Sequence, residues 1–212
     1  IVTCLRELDL RYMFGVSGAN IEHVHDAVFR LGRQGNGQHG FKTVMTKSEY
    51  GAAFMADARA RTHNTLGVCC ATSGGGMMNL AVGIAESYAH AVPVLALVGQ
   101  PPIALEGRGS FQDSSGIGGT VNALAMWQAI SKFSCKIETA DQFWPLFLKA
   151  LSQPFSGRHG PSVMLLPRDV MGLEVGNIPK DFLSSISFET DVKGSEQNIN
   201  ELWERLLEAK NP

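Results

Sequence analysis

Apolar residues along this chain follow two alternating rhythms. Strand-like runs recur at residues 12–16, 41–45, 132–137, 162–166, 66–72 and 92–98, the last two of them almost continuously apolar. Runs of that length and content predict strands buried on both faces. Between them, apolar positions return every three or four residues: Val2, Leu5 and Leu8; Ile21, Val24, Val28 and Leu31; Met77, Leu80, Ile84 and Tyr88. That spacing predicts one buried helix face each time, the second helix stopping at Gly32. Residues 141–151 predict a further helix, with Pro145 tolerable because it falls near the first turn. A stretch rich in small residues, Gly51, Ala52, Ala53, Ala56, Ala58 and Ala60, follows Lys47-Ser48-Glu49 and predicts a helix opened by a carboxylate.

Strands alternating with helices predict an α/β fold, three-layered α/β/α around a mostly parallel sheet. Residues 35–40 are expected to form a surface loop, and residues 99–120 a long glycine-rich loop without regular structure. Glycine, proline and charge dominate residues 168–195, which are expected to form an extended linker. Ile199, Leu202, Trp203, Leu206 and Leu207 then close the chain as an amphipathic helix. Its apolar face has no following strand to cover it, so both ends are read as cuts through a longer protein.

Composition narrows the function classes. The chain has 212 residues, 44% hydrophobic and 18% charged, with a formal net charge of -2. It shows neither the basic cluster of a nucleic-acid binder nor an apolar run long enough to cross a membrane, and its opening does not resemble a signal peptide. Cys4, Cys69, Cys70 and Cys135 have no CxxC spacing and predict buried reduced thiols in a cytoplasmic protein. The six histidines form no HExxH. His23 and His25, two apart on a helix, diverge, and no protein metal site is expected.

In an open parallel sheet, ligands bind beyond the carboxyl ends of the strands. Four segments fall at that edge: Gly15-Val16-Ser17-Gly18-Ala19-Asn20, Lys47-Ser48-Glu49, Thr72-Ser73-Gly74-Gly75-Gly76 and Gly99-Gln100-Pro101. The glycine turns permit close backbone approach to a flat or charged ligand. Neither a Walker lysine nor a GxGxxG order is present, which disfavours a nucleotide site. Glu49 has two ordinary readings, as a helix cap or as a charge placed at the positive end of the helix dipole. It has a third: beside Tyr50, Ala52, Ala53 and Phe54 it is partly desolvated, and can exchange a proton with a ring nitrogen.

Taken together, these segments resemble the pyrimidine-binding N-terminal domain of thiamine-diphosphate-dependent enzymes, of the acetolactate synthase, pyruvate oxidase and 2-oxo acid decarboxylase group. Tyr12-Met13-Phe14-Gly15-Val16-Ser17-Gly18 resembles a strand ending in F-G-V-P-G. Glu49-Tyr50-Gly51-Ala52-Ala53-Phe54-Met55-Ala56 resembles E-x-G-A-A-x-M-A. Ala71-Thr72-Ser73-Gly74-Gly75-Gly76-Met77-Met78-Asn79 resembles A-T-S-G-P-G-x-x-N. The stretch from Ala91 to Gln100 resembles S-V-P-L-V-x-x-x-G-Q. Phe111-Gln112-Asp113 resembles F-Q-E, and residues 160–170 resemble G-P-V-x-x-x-x-P-x-D-V. Six motifs in register cover nearly the whole chain.

The resemblance implies roles. Glu49 would hydrogen-bond N1' of the aminopyrimidine and favour its imino form. Thr72 and Gln112 would stand with Glu49 as catalytic residues, Thr72 polarising substrate. Val16, Ser17, Thr72, Gly75 and Asn79 would join Glu49 in binding the coenzyme, although Asn79 could equally stabilise its own turn, and Phe111 could simply pack its loop. Ser17 and Gly75 stand where prolines are usual, which should loosen both turns. Asp113 is one methylene shorter than the usual glutamate.

The same resemblance places the diphosphate and Mg²⁺ at a G-D-G…N motif that this chain lacks, and leaves FAD binding undetermined. It implies residues 1–170 as the pyrimidine domain and 171–212 as a linker and the first helix of a middle domain. The full-length protein would be a lyase or transferase acting on a 2-oxo acid, a homodimer or homotetramer with its site between subunits. The fragment alone would be inactive. The alternative is a separate or degenerate pyrimidine-domain subunit with a dimerisation or regulatory role.

Overall fold

A computed structural model describes residues 1–34, 40–188 and 195–210. The expected loop at 35–39, with His39, lies outside the described residues, as do 189–194 of the expected linker and residues 211–212. Among the described residues, no helix is long and apolar enough to cross a membrane.

Six strands, β1 (Tyr12–Gly15), β2 (Lys42–Met45), β3 (Gly67–Ala71), β4 (Val94–Gln100), β5 (Phe133–Lys136) and β6 (Ser162–Pro167), form one sheet in the order β2-β1-β3-β4-β6-β5. Every pairing is parallel. Alternate side chains leave a strand on opposite faces, so the sheet separates two cores. Val68, Cys70, Leu95, Leu97, Met164 and Leu166 face one side. There they meet α1 (Val2–Glu7), α2 (Glu22–Gln34) and α6 (Phe143–Ser152). Cys69, Ala71, Val94, Ala96, Val98, Val163 and Leu165 face the other, under α3 (Glu49–His63), α4 (Gly75–Ala89) and α5 (Ala123–Ile130). The three-layer α/β/α arrangement is as expected. The adjacent cysteines Cys69 and Cys70 are free and buried on opposite faces.

Three expectations need correction. The second helix runs through Gly32 to Gln34, because a glycine ends a helix by turning left-handed, and Gly32 is not among the residues with positive φ. Residues 99–120 are not structureless: a 3₁₀ turn covers Ile103–Leu105, and Ser115 bridges to Asn122. The helix α5, absent from the sequence reading, follows; the side chain of Asn122 accepts from the Ala125 N–H at 2.9 Å and caps it. The described part of the 168–195 segment is a strap, not a free linker. Phe182 is buried against Phe147 and Trp144, and Trp144 Nε1 donates to the Val175 carbonyl at 2.7 Å. The closing helix α7 (Glu196–Glu208) exposes Ile199, Leu202, Trp203, Leu206 and Leu207.

The small residues of α3 have a packing purpose. Ala52, Ala53, Ala56 and Ala60 are fully buried, and a side-chain carbon at Gly83 of α4 would lie 2.5 Å from Ala53 Cβ. The two helices therefore run close. A polar tie reinforces them: Ser87 Oγ of α4 donates to Asp57 Oδ2 at 2.9 Å, and Arg61 Nε donates to Asp57 Oδ1 at 2.6 Å.

Gly83→Ala should destabilise the protein by about 1–2 kcal/mol, overpacking outweighing the better helix propensity of alanine; the midpoint of urea unfolding measures it. Gly75 is the first residue of α4, with open space where a side chain would stand. The Cβ of a proline there meets no neighbour within 4 Å, and at the first helical position its missing N–H costs no helical hydrogen bond. Gly75→Pro should raise stability by about 0.4–1 kcal/mol in the same measurement.

Candidate functional site

The strand order reverses between β1 and β3: β2 lies outward of β1, while β4, β6 and β5 extend beyond β3. A reversal opens a crevice at the carboxyl ends of the two strands. The turns after β1, β2 and β3 all empty into it.

Glu49 opens α3, but the cap belongs to its neighbour. Ser48 Oγ accepts from the Gly51 N–H at 3.3 Å, and the Ser48 carbonyl accepts from Thr46 Oγ1 at 2.9 Å. With the first turn capped, the half-buried Glu49 carboxylate is free to reach sideways. Asn79 Nδ2, on α4, donates to Glu49 Oε2 at 2.6 Å. The other oxygen, Oε1, lies 3.1 Å from where a side-chain carbon on Gly76 would stand; the same point is 2.8 Å from Thr72 Cγ2. Any residue larger than glycine at 76 would fill the space in front of the carboxylate.

The floor is stitched by hydrogen bonds across the crevice. Thr72 Oγ1 accepts from the Asn20 N–H at 3.3 Å, and Asn20 Nδ2 donates to Ser73 Oγ at 2.7 Å. All three residues are buried. The Thr72 hydroxyl in turn donates to Gln112 Oε1 at 3.5 Å. Gln112 adopts a left-handed backbone, φ 57°. Its Cβ sits 2.8 Å from the point where a side chain on Gly74 would begin, and Gly74 itself has φ +63°. Position 74 therefore requires glycine for both its conformation and its neighbour.

The loop that delivers Gln112 is anchored on both flanks. Gln100 Oε1 accepts from Ser114 Oγ at 2.8 Å, and Lys136 Nζ meets Glu106 Oε2 at 2.8 Å. Asp169 accepts from the Ile103 N–H at 3.0 Å. Asp113 is spent inside the loop, accepting from the Gly107 N–H at 2.7 Å and the Ser115 N–H at 2.9 Å. Partial burial pushes its carboxyl up, but these N–H donors and the Lys136 charge outweigh that and hold it below the usual carboxylate range.

Four of the predicted site residues, Glu49, Thr72, Asn79 and Gln112, are thus brought together through Gly74 and Gly76. Val16 is half-buried at the end of β1, its carbonyl held by His25. Burial lowers the His25 pKa, the Val16 bond opposing it, and the ring lies 3.5 Å from the Cys70 thiol, itself pushed up to about 12 by burial. Both groups are neutral near pH 7. Ser17 and Gly75 are exposed on the rims of their turns, and Phe111 is 71% exposed. Asn79 does not stabilise its own turn: it lies inside α4, whose cap is Gly74. Asn20, Ser73 and Gly76 escaped sequence reasoning as site residues. All three stood in the two turns already singled out, as turn formers.

Comparison with known proteins shows the family. Residues 1–118 match the family model described as thiamine pyrophosphate enzyme, N-terminal TPP binding domain. An acetolactate synthase from Arthrospira platensis is 29% identical over 214 residues, covering 100% of this chain and 35% of that protein. A probable acetolactate synthase large subunit from Methanocaldococcus jannaschii is 32% identical over 175 residues, 82% of this chain and 27% of that protein. The acetolactate synthase isozyme 2 large subunit of Escherichia coli is 28% identical over 212 residues, again 100% of this chain and 35% of that protein. The chain spans about a third of the length of these relatives. It belongs to the thiamine pyrophosphate enzymes and carries their N-terminal TPP-binding domain.

Proposed function

We propose that this chain forms the aminopyrimidine-binding half of a thiamine diphosphate active site, in a cytoplasmic enzyme that decarboxylates or ligates 2-oxo acids as an acetolactate synthase does. The observation that carries the proposal is the Glu49 carboxylate, tied to Asn79 through one oxygen and facing a glycine-walled opening with the other. The residues fit the coenzyme: the missing side chain at Gly76 leaves a cradle before an acceptor that the helix cap does not consume. When bound, the coenzyme supplies an electron sink for the carbanion left by decarboxylation.

The chain's own residues do the rest. Glu49 accepts and returns a proton at the pyrimidine ring nitrogen. Val16, Ser17 and Gly75, on the two turns, would help hold the ring. Thr72 and Gln112, already bonded to each other, form the side from which substrate is polarised. The diphosphate and its Mg²⁺ belong to a further domain, since no G-D-G motif occurs in this chain. Whether FAD accompanies them is decided mostly by residues of a different, middle domain. Residues 171–212 lead towards it, the strap remaining packed on the pyrimidine domain. The chain by itself is inactive on this reading. No feature of the site or its relatives favours a degenerate regulatory subunit.

The second wall of the site is proposed to come from another subunit, in a homodimer or homotetramer. Tyr50 and Phe54 on α3, and Met78 and Val82 on α4, are between 41% and 59% exposed. Each pair is spaced i, i+4 and shares one side of its helix. Tyr50 and Met78 directly adjoin Glu49 and Asn79 in sequence. Apolar side chains flanking a polar site in this way suit a partner surface.

In the full-length protein, Glu49→Gln should lower kcat on a 2-oxo acid by 100-fold or more, roughly the low end of what general acid–base catalysis contributes. Steady-state turnover at saturating thiamine diphosphate and Mg²⁺ measures it, and unchanged turnover would sink the role given to Glu49. The double variant Phe54→Glu, Val82→Glu should shift full-length protein to a monomer in sedimentation velocity and abolish turnover; an intact oligomer would remove these helices from the interface.

A further inference from the structure

Asn79 stands five residues into α4, where an asparagine has no capping work to do. Asparagine is also among the poorer helix formers, because its side chain competes for backbone hydrogen bonds. What it does is reach across to α3. Its Nδ2 donates to Glu49 Oε2 at 2.6 Å, a contact between residues thirty apart in sequence. An ionised carboxylate can only accept, so chemistry alone fixes which end of the amide faces it. The bond is short, as charge-assisted bonds are.

A carboxylate without a fixed donor can present either of its equivalent oxygens to a ligand. Glu49 gains no such constraint from its own helix, whose first turn is capped by Ser48. We propose that Asn79 is the positioning residue of this site: it occupies Oε2, makes the two oxygens inequivalent, and turns Oε1 to the opening before Gly76. The proposal rests on the proton-handling role given to Glu49 above. Asn79 acts through that carboxylate and needs no contact with coenzyme or substrate. The close crossing of α3 and α4 at Ala53 and Gly83 sets the reach of the bond.

Two substitutions separate a donor from a packing group. Asn79→Asp keeps the shape, removes the donor and sets a second carboxyl against Glu49. Asn79→Ala removes shape and donor without adding charge. Both are made in the full-length protein beside Glu49→Gln. Thermal midpoints are measured on the apoprotein, thiamine diphosphate affinity by quenching of intrinsic fluorescence without 2-oxo acid, and kcat and KM by turnover. The Asn79→Ala midpoint should hold or rise, and that of Asn79→Asp should fall through repulsion between the two carboxyls. Coenzyme affinity should weaken about tenfold in Asn79→Ala, the worth of one bond to a charged group, and further in Asn79→Asp. kcat should fall in the same order with KM for the 2-oxo acid unchanged.

A packing role gives the reverse order, the isosteric aspartate being the milder change. Affinity and kcat within twofold of wild type in Asn79→Asp, with Glu49→Gln inactive, would overturn this inference alone. Turnover retained in Glu49→Gln would overturn the reading of Glu49 and the inference with it. Should Asn79→Ala fail to fold, the aspartate variant still decides.

Discussion

A carboxylate on one helix meets an amide on the next at 2.6 Å where the two helices cross with no room for a side chain at Gly83. Everything at this site depends on that approach. It is made possible by a face of α3 that carries almost no side chain, Ala52, Ala53, Ala56 and Ala60, set against Gly83 of α4. Burial of such small groups releases little hydrophobic free energy per residue. The helices are held instead by the larger neighbours beneath them, Met77, Leu80 and Ile84, and by the Asp57, Arg61 and Ser87 tie. Bulkier side chains on that face would hold the two helices further apart.

The sheet supplies the second constraint. Because every strand is parallel, all six carboxyl ends lie along one edge, and the reversal of order between β1 and β3 opens that edge where Glu49 enters. The buried bonds from Asn20 to Thr72 and Ser73 join the two turns there. Unsatisfied, those polar groups would each cost about 1–3 kcal/mol in the buried floor. Satisfied by one another, they hold two glycine turns rigid that glycine content alone would leave loose.

The layered fold is legible because the central parallel strands, 66–72 and 92–98 above all, are written as continuous apolar runs that alternate with helix-spaced segments. Glu49 is legible by place: the first residue of the helix that follows a strand, at the edge where ligands bind. Its partner is not. That Asn79 faces another helix, and not its own turn, depends on an interhelical distance that no local pattern encodes. α5 is hard to read although Asn122 is a good cap and Ala123 and Trp127 are four apart, because the glycine-rich stretch before it carries the stronger loop signal. The glycines and prolines of the strap after β6 carry a linker signal, while its few apolar residues, Phe182 above all, are what dock it.

The 101–120 loop shows why the remaining site residue, Gln112, was readable as a motif and unreadable as geometry. Its anchors lie far apart in the chain: Glu106 pairs with Lys136, and Ile103 with Asp169. The Glu106–Lys136 pair is 6% and 17% exposed, and Glu106 Oε1 is buried with no hydrogen-bond partner. Removing two charges from water costs free energy that one short bond recovers poorly, so the pair is weak evidence for stability. Its effect is on position. A segment with five glycines can follow many paths from β4 to α5, and a buried charge that must find its one counter-ion excludes most of them. The path that survives brings Gln112 over Gly74 in a left-handed conformation and sets its side chain against Thr72. The loop gives up stability at Glu106, and the crevice gains its third wall.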